Sequence, residues 1–104
     1  MTNAAQEFDL AMFEIYRRAL DECNYQATYF LQMLQKEGGM ATALRLIRAP
    51  NPSEGFTALW EKNRLDLSVE ALVQQKPWRS LFSESDIRAA AKRLRSYGFV
   101  VPDC

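Results

Sequence analysis

The sequence predicts an all-α protein, a single compact domain over residues 1–104 built from about five to six short helices. Apolar residues return at steps of three and four along most of the chain, the spacing of one buried helical face. Residues that start or stop helices stand between those stretches: Asn24, Gly38-Gly39, Pro50-Asn51-Pro52, Ser53, Pro77, Ser83 and Gly98. Nothing alternates with period two for long enough to make a strand, and Val100-Val101-Pro102 is too short for a sheet. With 48% hydrophobic and 25% charged residues, the composition is that of a globular protein with one modest core. No internal repeat or low-complexity stretch divides it.

The first helix is carried by Phe8, Ala11, Met12, Ile15, Tyr16, Ala19, Leu20 and Cys23, spaced to form one inner face. Glu7, Asp9 and Glu14 lie early in it, where the positive end of the helix dipole favours acids. Asn24 is placed to end this helix and to cap the next. The second helix turns Ala27, Phe30, Met33 and Leu34 inward, with Tyr25 and Tyr29 beside them. It stops at Gly38-Gly39, because glycine enters the left-handed conformation without a Cβ clash. A third presents Met40, Ala43, Leu44 and Ile47 inward and Arg45 and Arg48 outward, until the prolines end it. Ser53 caps a short fourth helix carrying Phe56, Leu59 and Trp60. After a tight connection at Asn63-Arg64-Leu65-Asp66, Asp66 or Ser68 caps a fifth helix that buries Val69, Leu72 and Val73, and Pro77 interrupts again. Ser83-Glu84-Ser85-Asp86 opens the last helix, Asp86 being a shorter version of the capping-box glutamate. Its inner face is Ile87, Ala90, Ala91, Leu94 and Tyr97; Gly98 ends it and Phe99 folds back toward Leu94.

Thirteen Lys+Arg balance 13 Asp+Glu, which argues against a general polyanion binder and equally against an acidic mimic of nucleic acid. The chain has no histidine, so the commonest general base, a usual metal ligand and every histidine-activated nucleophile are missing. Gly38-Gly39 follows no strand and lacks the pattern of a phosphate cradle. Asp21-Glu22 and Glu84 with Asp86 fall at helix ends, where capping accounts for them. Asp66 and Glu70, four apart, could share a proton or a metal, but a cap plus a surface acid is the simpler reading. The expectation is therefore a non-enzyme, with no catalytic residue, metal, cofactor or small-molecule substrate. Cys23 within the first helix and the terminal Cys104 have neither disulfide-framework nor zinc spacing, which points to a reducing compartment. The start, Met1-Thr2-Asn3-Ala4-Ala5-Gln6-Glu7, lacks the regions of a signal peptide, and no apolar run approaches the roughly 20 residues of a membrane span. The expected localisation is cytoplasmic.

Binding remains. Arg88, Lys92 and Arg95 fall at i, i+4 and i+7 on the last helix, opposite its apolar face, with Arg93 nearby and Arg79 upstream. Only Glu84 and Asp86 oppose them over residues 79–97, whereas the first helix carries Glu7, Asp9, Glu14, Asp21 and Glu22 against Arg17 and Arg18. Net neutrality thus conceals a charge dipole. A basic helix of this kind can meet nucleic-acid phosphates or the carboxylates of another protein; it can also be a solvated face whose cations complement the helix dipole. The acidic first helix of one copy could pair with the basic last helix of another. A helix-turn-helix over residues 54–73 would leave only Ser68, Glu70, Gln74 and Gln75 to contact bases, and two packed core helices explain that stretch better. Of the aromatic residues, Phe13 lies off the buried stripe, Tyr25 sits at a helix start and Trp78 follows a proline. Trp78 is a candidate interface anchor, though with Phe82 it could equally plug the end of the core. Surplus apolar surface allows a homodimer.

Phe13-Glu14-Ile15-Tyr16, the run from Asn24 to Met33, Gly38-Gly39, Ser53-Glu54-Gly55-Phe56 with Leu59-Trp60-Glu61, and Arg64-Leu65-Asp66-Leu67-Ser68-Val69-Glu70 together resemble a family of small bacterial all-helical proteins of about this length and of unassigned function. The resemblance covers most of the chain, brings no mechanism, and implies only a loose association with phage-defence and mobile-element neighbourhoods. Two functions are expected from these readings. The first is a non-enzymatic protein-interaction module, an accessory, inhibitor or regulatory subunit acting by docking, with a protein partner or itself. The alternative is a nucleic-acid-associated protein using Arg79, Arg88, Lys92 and Arg95 on phosphates. No membrane partner is expected.

Overall fold

A computed structural model describes residues 3–101; the terminal thiol expected at Cys104 lies outside the described residues. The described residues contain seven α-helices and one turn of 3-10 helix, with no β-strand among them. The helices are α1 (Ala4–Cys23), α2 (Thr28–Glu37), α3 (Gly39–Arg48), α4 (Glu54–Glu61), α5 (Val69–Leu72), α6 (Lys76–Arg79) and α7 (Glu84–Ser96), with the 3-10 turn at Leu65–Leu67.

α1 begins further upstream than its apolar face suggests, because Asn3 and Gln6 form a reciprocal capping box. The Gln6 amide donates to Asn3 Oδ1 at 2.8 Å and the Asn3 amide to Gln6 Oε1 at 3.2 Å. Phe8, Met12, Ile15 and Ala19 are buried, but Leu20, expected on the same face, is 37% exposed. Asn24 ends α1 in the left-handed conformation (φ 52°, ψ 35°). It does not cap α2, which starts after Ala27 with no side-chain cap. The intervening residues 24–27 are non-helical, so the Asn24 side chain is too far upstream to reach the first amides of α2.

Gly38, at φ +85°, joins α2 directly to α3, a backbone angle that favours glycine. Gly39 is needed for a different reason. Its amide donates to Asp9 Oδ1 of α1 at 2.7 Å, and a Cβ placed there would come within 2.6 Å of that oxygen. An acid expected to serve its own helix dipole thus also satisfies the first amide of another helix.

Ser53 caps α4 and Ser68 caps α5, accepting from the Phe56 amide at 3.1 Å and the Ala71 amide at 3.2 Å. Pro77 does not interrupt the chain. It lies in the first turn of α6, where a missing amide hydrogen costs nothing, so Trp78 is helical rather than in a connector. Ser83 caps α7 through the Asp86 amide, 3.2 Å. At the other end the Phe99 amide donates to Leu94 O and the Gly98 amide to Arg95 O, both 3.0 Å, the two bonds of a Schellman closure.

Two apolar clusters share the interior. Phe8, Met12, Ile47, Val73, Phe82 and Ile87 centre the first; Phe56, Leu59, Leu67, Ala91 and Leu94 centre the second. α3, α5 and α7 pack on one another, and α1 lies across α2 and α3. α2 packs principally on α1 and α3, while α4 packs on the 3-10 turn. The flank between α2 and α4 is where the two clusters fail to close. No helix of the described residues is long and apolar enough to cross a membrane.

Candidate functional site

The expected basic face divides when folded. Arg88, Lys92 and Arg95 are exposed on α7, and Arg79 is half-buried on α6. Lys76, Arg79 and Arg88 converge on a shallow depression of about 620 Å³ that Phe82, Ile87 and Glu84 also border. Lys92 lies one turn beyond Arg88 along α7. Arg93 leaves this face altogether. It turns inward and donates to Leu46 O (3.1 Å), Ala49 O (2.6 Å) and Glu70 Oε2 (3.2 Å), thereby covering carbonyls at the C-terminal end of α3 that have no helical partner. Trp78 is half-buried, its ring meeting Phe8 edge-on at 5.7 Å, while Phe82 meets Phe8 at 5.3 Å; both fill the end of the first cluster.

Glu70 corrects the expectation of a surface acid. It is 2% exposed, and burial pushes its carboxyl above the ordinary range against the opposing pull of its own backbone amide and Arg93. Asp66 instead is exposed and bonded to Arg64, so the two acids four apart do not share a proton or an ion. Ser68 is likewise buried and Gln74 donates to Ile87 O at 3.0 Å, which withdraws three of the four side chains a helix-turn-helix would have used. The opposite charge pattern of α1 is muted by its own pairs. Arg17 bonds Glu14 and Asp21, Arg18 bonds Glu22 at 2.8 Å, and Arg64 bonds Glu22 at 2.7 Å. Arg18 and then Arg64 hold the Glu22 carboxyl down to about 2.

A second feature had no counterpart in the sequence reading. A cavity of about 330 Å³ opens between α1, the start of α2, the start of α4 and the start of α5, at the junction of the two clusters. Tyr16, Tyr25, Tyr29, Phe30 and Phe56 supply aromatic lining. Among the described residues, Glu54 and Glu70 are its only charged lining, with no lysine or arginine. Burial, then the Glu54 charge, raises the Tyr25 hydroxyl above its usual range, so Tyr25 remains a neutral donor beside a carboxylate. Tyr29 stands 74% exposed at the rim. One signal was available: Gly55 within α4 has no turn to make there, and an added Cβ would meet nothing closer than the Tyr25 hydroxyl at 3.8 Å. Among the described residues no group of three or more acidic or cysteine side chains is placed to hold a metal.

No protein-family model, curated protein or solved structure matches this chain.

Proposed function

We propose that the protein is a non-catalytic docking module that receives an acidic segment of a protein partner across the depression between α6 and α7. The observation that carries this reading is the convergence of Lys76, Arg79 and Arg88 around a floor containing Phe82 and Ile87, with Lys92 extending the basic track. A cationic rim over an apolar floor favours a segment that alternates acids with apolar residues, since charges steer the approach and apolar groups supply the affinity. The buried acids have structural work instead of chemistry: Glu70 is bonded to Arg93, and Asp86 to Arg48 and Ser83. Pairing of α1 with α7 between two copies is less favoured, because Glu14, Asp21 and Glu22 are already engaged within their own chain. Trp78, held edge-on against Phe8, is not among the residues that border this depression.

Fluorescence anisotropy with a labelled glutamate–leucine peptide tests it. The double variant Arg88→Glu/Lys92→Glu is expected to keep the wild-type Tm and to lose more than about tenfold in affinity. Unchanged peptide binding in that variant would refute the assignment. Duplex DNA is expected to bind no more tightly than about micromolar at physiological salt; nanomolar binding with a steep salt slope would favour the nucleic-acid reading instead.

A further inference from the structure

We propose that the cavity between α1, α2 and α4 binds a small organic cation, an ammonium group carried on an apolar or aromatic body. The inference stands apart from the basic depression, which borders a different stretch of the fold. Three properties lead to it. The first is size: an enclosed volume of about 150 Å³ is enough to hold benzene, and this cavity offers about 330 Å³. Concave, mostly apolar spaces with a few converging polar groups are the usual form of a small-molecule site, whereas a partner helix needs an elongated groove.

The second is the wall. Tyr16, Tyr25, Tyr29, Phe30 and Phe56 line one space, and the negative faces of aromatic rings attract a desolvated cation. The third is charge. Glu54 and Glu70 line this space, and among the described residues no cationic side chain does. Arg93, bonded to Glu70 but not among the lining residues, offsets much of that carboxylate's charge, so the exposed Glu54 supplies most of the net field. Glu54 also acts on the neighbouring Tyr25 hydroxyl, which places its charge within reach of an occupant. An organic anion meets the same groups unfavourably.

Titration of isotope-labelled protein with tryptamine, neutral indole and indole-3-acetate, followed by NMR, tests the inference with one ring and three charges. Tryptamine is expected to give saturable shifts at Ala27, Thr28, Phe56 and Val69, with an affinity about tenfold above indole and indole-3-acetate the weakest. Glu54→Gln, an exposed substitution, is expected to reduce the preference for tryptamine over indole several-fold. Gly55→Leu, whose Cβ would meet the Tyr25 hydroxyl and Ser53 Oγ at ordinary contact distances of 3.8 and 3.9 Å and which improves helix propensity, is expected to fill the cavity and abolish the shifts at unchanged Tm. Ala27→Leu fills it from the opposite rim and serves if the first variant is unstable. Absence of saturable shifts with all three probes, indole-3-acetate binding as tightly as tryptamine, or full binding by a folded filled variant would each overturn the proposal. Tighter binding by a lysine-containing peptide than by tryptamine would overturn the assignment to a small molecule.

Discussion

Thr42 shows how much one atom can matter here. Its side chain is fully buried in α3 and its hydroxyl has no hydrogen-bond partner among the described residues. Leaving such a group unsatisfied costs free energy that an apolar replacement of the same shape avoids. Thr42→Val is therefore expected to raise stability by about 1 kcal/mol, read as a higher urea midpoint at unchanged slope. Gly39 works in the other direction. An alanine Cβ there would collide with Asp9 Oδ1 and displace it from the Gly39 amide, so Gly39→Ala is expected to lose about 2 kcal/mol despite its better helix propensity. A wild-type urea midpoint in that variant would show that α1 and α3 are not locked at this contact.

Helices in this fold are held by side chains donated from other helices. Arg93 of α7 bonds the C-terminal carbonyls of α3 and the buried carboxylate of α5, joining three elements that share the first cluster. Removing it leaves Glu70 buried without its cation. Arg93→Met is expected to cost roughly 3 kcal/mol at neutral pH. The sign of its pH dependence follows from Glu70. A carboxyl raised above its unfolded value of 4.5 contributes stability that is present below that value and lost as pH rises through the folded one. Without Arg93 the folded value climbs further, so the deficit of the variant should shrink as pH falls toward 4.5. Urea denaturation of both proteins across that range decides this, and a pH-independent deficit would show that the lost bonds to α3 dominate. A neutral cap tests a simpler link: Ser83→Ala removes the bond to the Asp86 amide and should cost about 1 kcal/mol.

Across the molecule, charge is distributed so that acid is the vulnerable side. The Arg18 and Arg64 guanidiniums hold Glu22 at about 2, and Arg48, with further help from Ser83, holds Asp86 below its ordinary value. Depressed carboxyls contribute stability above their unfolded values, 4.5 for Glu22 and 3.8 for Asp86, and lose it as pH falls through the folded ones. The wild-type melting temperature is expected to decline between about pH 5 and pH 2. Arg64→Ala, which unties α1 from the 3-10 turn, should lower it at pH 7, and the difference should shrink as pH falls toward 2 and Glu22 takes up its proton. A constant difference across that range would assign the role of Arg64 to packing.

Local rules were legible in the amino-acid order because they act over a few residues. The caps at Ser53 and Ser83, Ser68 as one of two candidates with Asp66, the positive φ of Gly38 and the Gly98-Phe99 closure all follow from backbone groups that must find a partner within one turn. The all-helical class followed from apolar spacing for the same reason. Contacts between distant segments were not legible. Glu70 and Arg93 read as surface charges because periodicity marks them polar, yet each finds its counter-charge only when α5 and α7 meet. Trp60, placed inward by spacing, is 46% exposed, its ring edge-on to Tyr97, because α4 packs chiefly on the 3-10 turn, a neighbour that spacing within α4 does not encode. The cavity is the clearest case. Its lining comes from four separate stretches of chain, and an empty space is a property of how helices fail to meet, which no single helix encodes.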